Sequence, residues 1–264
     1  MTARLARLSA ALLIAAPLAA PLRAQGLEYA SGTTRYRISS TTTSSQTSPM
    51  GNATFDLGLS ELLTVSLQKS HKDTVTATMT LDSIALKSSG PTPDVSKLPG
   101  SKFVSVVNPT GKYYSGKTPD GVDPQLASLL DGILHFLPQF RPVLSTGMTW
   151  ADTTTGKVPQ NGMEVDRTAI SNYKVSGDTT IGSDKAFKIQ RITSVKANGT
   201  GNLQGTPVAM ESMVTSTGMF FLTPKGVYLG GNSADDVNVK ISILAQNAEV
   251  NIKQNAKTQI QMVK

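Results

Sequence analysis

The chain has 264 residues, of which 25 are Lys or Arg and 18 are Asp or Glu, and it contains no cysteine. The lack of cysteine excludes disulfides, thiolate metal sites and lipid attachment through an N-terminal cysteine. The basic residues are scattered singly, whereas nucleic-acid binding needs a concentrated basic stripe, so no nucleic-acid partner is expected.

Residues 1–24 predict a secretory signal peptide. Arg4 and Arg7 form a basic start, a short apolar stretch follows, and cleavage is expected after Ala24. The apolar stretch is too short to span a bilayer, which takes about 20 residues. Removal of the peptide leaves 22 basic residues against 18 acidic ones, so the net charge falls from +7 to about +4. We therefore expect residues 25–264 to form a single exported β-rich domain in the periplasm or outside the cell.

Most of the remaining sequence alternates between apolar and polar residues with a period of two. In the segment 74–81, Val, Ala, Met and Leu occupy one face and threonine the other, which is typical of a strand with one face in water. Similar segments predict further strands at 33–43, 62–69, 103–107, 163–175, 186–195, 208–222, 237–244 and 250–262. Short turns separate many of them, and parallel strands would need long crossovers, so the pattern predicts an antiparallel meander. The glycine-rich segment 199–205 is interpreted as a hairpin loop.

Residues 111–118, GKYYSGKT, match the phosphate-loop pattern GxxxxGK[ST]. A working phosphate loop opens a helix at its lysine. Here Pro119 follows directly, and residues 112–115 favour a strand after the turn at 108–111. We interpret the match as part of a β-hairpin, and no nucleotide is expected.

A helix is predicted from Asp123 to Leu137. Asp123 can cap it, Pro124 suits the first helical position, and Pro138 ends it. Apolar residues recur at helical spacing, namely Leu126, Leu129, Leu130, Ile133, Leu134 and Leu137. Such an amphipathic helix must dock on an apolar surface, which the concave side of the sheet would supply.

The sequence offers few parts for catalysis. His71 and His135 are the only histidines, so neither a two-histidine metal motif nor a compact triad has its members together. Ser66 and Lys69 match SxxK, but a three-residue offset on a strand points them to opposite faces. We expect a protein that is not an enzyme and needs no cofactor or metal.

Trp150 is the only tryptophan of the chain. It follows a proline-rich link and a glycine turn, after the predicted helix. A tryptophan at this place could line a ligand pocket or anchor the loop onto the core. Both interpretations stay open.

The order of NPTGKYYS, the amphipathic helix, GMTW and SNYKVSGDTTIGSDKAFKIQR resembles uncharacterised secreted bacterial proteins. Their layout is similar to the half-barrel of periplasmic lipoprotein carriers of the LolA type. The resemblance implies a curved antiparallel sheet that holds acyl chains on its concave face under helices. This chain has one clear helix where those carriers have several, so no binding residue is carried over from them.

The predicted fold is therefore mainly β, with a curved antiparallel sheet, a half-barrel or open barrel, and one amphipathic helix packed across it. The predicted function is an exported, non-catalytic binding protein for a hydrophobic small molecule or lipid. The residues expected to bind that ligand are Leu126, Leu130, Ile133, Leu134, Leu137 and Trp150. Core packing would account for the same residues. The alternative function is an envelope structural or protein-interaction module with a filled core, whose partner is an envelope protein.

Overall fold

The structure is a computed structural model that describes residues 26–71, 73–90, 93–119, 126, 130, 132–160, 163–203 and 205–263. The predicted signal peptide lies outside the described residues. So do Asp123, Pro124 and Leu129 of the predicted helix.

Eleven strands form one antiparallel sheet in the described part of the chain. They are β1 (Gly32–Ser48), β2 (Gly51–His71), β3 (Thr74–Ser88), β4 (Lys102–Val107), β5 (Tyr113–Lys117), β6 (Thr149–Gln160), β7 (Met163–Ile181), β8 (Asp184–Leu203), β9 (Thr206–Leu222), β10 (Tyr228–Ile243) and β11 (Ala248–Val263). Their order across the sheet is β5-β4-β3-β2-β1-β11-β10-β9-β8-β7-β6. The sheet is open, with β5 and β6 at its edges. The predicted mainly β class and antiparallel meander are confirmed.

The strands are longer than the sequence pattern predicts. β2 has 21 residues, and β6 was not predicted as a strand. Residues 199–203, predicted as loop, continue β8 in regular pairing with β9. Residues 113–117 form β5, paired with β4, so the hairpin interpretation of GKYYSGKT is confirmed.

The main hydrophobic core lies at one end of the sheet. In β3 the side chains of Val75, Ala77, Met79 and Leu81 are buried, but beyond Leu81 the burial stops. The second half of β1 shows the same change, because serine and threonine replace the apolar residues there. A smaller cluster lies at the other end of β7 to β9, formed by Met163, Val165, Ala197, Val208 and Met210.

The sheet is strongly curved. Phe103 of β4 and Ile189 of β8 belong to the same buried core, although many strands separate them in the sheet order. A Cβ at Gly218 or Gly231 would lie 2.4 or 2.3 Å from a backbone oxygen of the paired strand, so only glycine fits at these two positions of β9 and β10. A bulge between Tyr228 and Gly230 adds to the bend.

The segment between β5 and β6, residues 118–148, is named here the connecting segment. Its described residues contact β4, the centre of the sheet and β7 in turn. The Ser105 hydroxyl of β4 donates to the Leu134 carbonyl at 2.6 Å. Phe136 packs edge-on against Tyr36 of β1, and the Val175 amide of β7 donates to the Met148 carbonyl at 2.9 Å. The segment thus crosses the concave face.

Helical conformation in the connecting segment is described at Leu126, Leu130 and residues 132–134. The predicted end at Leu137 is wrong, because His135 is already in a turn. Pro138 explains the earlier end, since a proline ring in a helix clashes with the carbonyl four residues before it, here that of Leu134. Among the described residues, no helix has the length and apolar character needed to span a membrane.

Candidate functional site

A cavity of about 260 Å³ lies on the concave face between the connecting segment and the centre of the sheet. Its walls come from β1, β2, β8, β9, β10 and β11, and residues 132–138 cover it. The apolar part of the lining includes Ile38, Leu59, Ile133, Phe136, Phe220, Tyr228 and Ile260, and the polar part includes Ser40, Glu61, His135, Arg191, Ser233 and Thr258. The cavity is therefore amphipathic.

Glu61 is the most unusual residue of this wall. It lies on the inner face of β2, is only 5% exposed, and pairs across the sheet with Ile38 and Ile84. Its Oε1 atom is buried and has no hydrogen-bond partner among the described residues. Burial raises the pKa of Glu61 from its ordinary 4.5 to about 7. A buried carboxyl oxygen without a partner is costly, and the residue that carries it lines the cavity.

Arg191 supplies a positive charge to the same cavity. It lies on the inner face of β8, half-buried, between Tyr173 of β7 and Gly218 of β9. It also lines a second cavity of about 150 Å³ beside Ser105. In the described part of the chain Arg191 forms no ion pair, so it does not neutralise Glu61.

Aromatic residues hold one side of the cavity in place. The Tyr36 hydroxyl donates to the Tyr228 carbonyl at 2.9 Å, and the two rings stack with centroids 5.5 Å apart. Phe136 packs edge-on against both rings, at 4.9 and 5.6 Å. Burial raises the pKa of Tyr228, so its hydroxyl stays protonated. This cluster ties the connecting segment to β1 and β10 at one wall of the cavity.

His135 closes the cavity from the connecting segment. Its ring stacks on Tyr113 of β5 with centroids 4.3 Å apart. Within the described ranges, no group of three His, Cys, Asp or Glu side chains is placed to hold a metal ion. The arrangement offers opposite charges and apolar contact surface for non-covalent binding.

The structure separates the six residues predicted to bind the ligand. Leu126 and Leu130 are buried in the main core, at 5% and 0% exposed, and of the six only Ile133 lines the cavity that contains Glu61. Leu134 and Leu137 line the smaller cavity and also belong to the core.

Trp150 does not line the cavity that contains Glu61. Its ring stacks on Tyr173 with centroids 4.8 Å apart and planes 5° apart, and the pair lines a shallow groove at the end of β6. Trp150 packs against the main core from this position.

Sequence reasoning missed Glu61 and Arg191, although the sequence contains a signal for both. The alternation Leu57, Leu59, Glu61, Leu63, Val65 places a carboxyl in the middle of an apolar strand face. In β8, the inner-face series after Ile189 likewise contains an arginine. A charge at an inward position is uncommon enough to mark a candidate site.

Comparisons with known proteins give no information about this site. No family model and no curated protein matches the chain. Among solved structures, Neisserial surface protein A (NspA) matches 86% of this chain and 98% of its own, with 11% identity and a TM-score of 0.18. A TM-score this low supports no argument about function, and the resemblance to LolA-type carriers stays a prediction.

Proposed function

We propose that this protein is an exported, non-catalytic binding protein that holds a small amphipathic ligand in the cavity between the connecting segment and the sheet. Export rests on the predicted signal peptide. The binding role rests on the cavity, which combines apolar walls with two charged side chains, Glu61 and Arg191, that form no ion pair within the described residues.

The observation that carries the proposal is Glu61. A protein usually supplies a hydrogen-bond partner to each buried polar atom, because leaving one out costs about 1–3 kcal/mol. The Oε1 atom of Glu61 has none among the described residues, and Glu61 is one of the residues that line the cavity. A ligand that donates a hydrogen bond to this atom would remove the cost.

The volume of the cavity limits the size of the ligand. Cavities that bind drug-sized molecules measure about 300–1,000 Å³, and one of about 150 Å³ holds benzene. A volume of about 260 Å³ suits a molecule with one ring or one short branched chain. The sequence suggested a hydrophobic small molecule or a lipid, and of these two we propose the small molecule.

Ligand-observed NMR with two simple probes, 3-phenylpropanoate and 2-phenylethylamine, tests the proposal. The wild-type chain should bind at least one of them. Ser233→Trp places a large ring on the cavity wall and should abolish that binding. Ser194→Trp is the matched control, because Ser194 is exposed on the outer face of β8 and does not line the cavity.

Native mass spectrometry of protein prepared without detergent complements this test. A small co-purified mass that is absent from Ser233→Trp would support a natural occupant. If the wild-type chain binds neither these two probes nor a probe that carries both of their charged groups, or if Ser233→Trp binds as well as Ser194→Trp, the cavity is not a binding site. That result would favour the alternative, an envelope module that binds another protein through its sheet.

A further inference from the structure

The two charged side chains of the cavity restrict the chemical class of the ligand further. This inference rests on the proposed binding function. Glu61 and Arg191 both line the cavity, yet they form no ion pair with each other. Their strands are also far apart in the sheet order, and only the curvature brings them to one cavity. The wall therefore presents a separate acidic group and a separate basic group.

Each group has a preferred partner. An ionised carboxyl accepts strong, charge-assisted hydrogen bonds from an ammonium group, and a guanidinium binds a carboxylate through two parallel hydrogen bonds. The surface between them is apolar and aromatic, with Phe136, Phe220 and Ile260. A ligand with only a carboxylate would leave the Glu61 carboxyl without a hydrogen-bond donor, and a ligand with only an ammonium group would leave Arg191 without a carboxylate.

We propose that the ligand is a small zwitterion with an apolar body, in which an ammonium group binds Glu61 and a carboxylate binds Arg191. This is the chemistry of an apolar amino acid or of an amino acid with a longer spacing between its charges. The apolar body contacts Phe136 and Phe220, and Ile133 covers it from the connecting segment.

Isothermal titration calorimetry with matched probes tests this inference. L-phenylalanine and 5-aminopentanoate carry both charges at two spacings, whereas 3-phenylpropanoate lacks the ammonium group and 2-phenylethylamine lacks the carboxylate. At least one zwitterion should bind ten- to a hundred-fold more tightly than either singly charged probe, because each charged hydrogen-bonding group contributes a factor of about this size.

Variants of Glu61 and Arg191 show which of these residues binds which charged group of the ligand. Glu61→Gln should weaken binding of the zwitterion by about ten- to a hundred-fold and leave 3-phenylpropanoate unchanged. Arg191→Gln should weaken the binding of 3-phenylpropanoate and leave the binding of 2-phenylethylamine unchanged. Arg191→Lys should restore part of the affinity for 3-phenylpropanoate. Thermal unfolding of each variant shows that it is folded.

The outcomes separate the two proposals. If the singly charged probes bind as tightly as the zwitterions, the zwitterion inference is wrong and the binding function stands. The same conclusion follows if Glu61→Gln has no effect on any probe. If none of the four probes binds, both the inference and the proposed function fail.

Discussion

Glu61 makes the stability of this protein depend on pH through a single side chain. In the unfolded chain its carboxyl ionises near its ordinary pKa of 4.5, whereas burial raises the pKa to about 7 in the folded state. Between these values the folded state holds a proton that the unfolded state has lost. The free energy of unfolding therefore falls as the pH rises from about 4.5 to about 7, by about 3 kcal/mol for this group.

Glu61→Gln should remove this dependence. Urea unfolding at pH 5 and at pH 8 should show that the variant gains stability relative to the wild type as the pH rises, by about 3 kcal/mol at most. Glu211→Gln is the control, because Glu211 is exposed on β9. If the difference between Glu61→Gln and the wild type is the same at both values of pH, Glu61 is not held neutral by burial.

At the scale of elements, the connecting segment stabilises the sheet by burying its apolar side chains. Leu130 is fully buried, so Leu130→Ala should lower the free energy of unfolding by about 2–5 kcal/mol. Val143→Ala changes a residue of the same segment that is 68% exposed, and it should cost less than about 0.5 kcal/mol. Denaturant unfolding measures both. A cost below 1 kcal/mol for Leu130→Ala would mean that this leucine is not a core residue.

The sequence predicted the elements best where an apolar face continues. β3 was found because Val75, Ala77, Met79 and Leu81 alternate with threonine, and these four residues are its buried part. β6 was missed because TWADTTTGKVPQ contains glycine and proline and has no apolar alternation. Its strand conformation comes from pairing with β7, which is a tertiary effect on a segment with little preference of its own.

The candidate site was predictable only in part. An acidic residue on the apolar face of β2 can be read from the sequence. That Glu61 and Arg191 line one cavity cannot be read from the sequence, because it depends on the curvature of the sheet. The curvature depends in turn on Gly218 and Gly231, whose close contacts exist only in the folded protein. An amphipathic pattern does not distinguish a cavity wall from a filled core, so the sequence could not separate Leu126 and Leu130, which lie in the core, from Ile133, which lines the cavity.

At the scale of the whole molecule, stability should differ between the two ends of the sheet. The turn between β1 and β2 contains Met50, which is 97% exposed, whereas Leu63 in the second half of β2 is fully buried. Both ends share the same backbone pairing between β1 and β2. Local opening costs least where few apolar contacts are lost.

Hydrogen exchange measured by mass spectrometry should show this difference. Peptides covering residues 41–57 should exchange much faster than peptides covering residues 60–67 of the same ladder. The paired residues of β1 provide an internal control, because Tyr36 faces Leu63 and Gln46 faces Ala53. Equal protection along both strands would show that the sheet opens as one unit.

The pairing of β1 with β11 at the centre of the sheet also bears on the order of folding. Thr258 donates to the hydroxyl of Ser40 at 3.2 Å, although 218 positions separate them along the chain. Each half of the sheet can form from neighbouring hairpins, but the central pair must wait for the last strand, which makes folding slow. Until then β1 and β10 both expose unpaired backbone groups, and such edges invite pairing with the wrong strand. The risk of wrong pairing is therefore greatest during folding, before β11 pairs with β1.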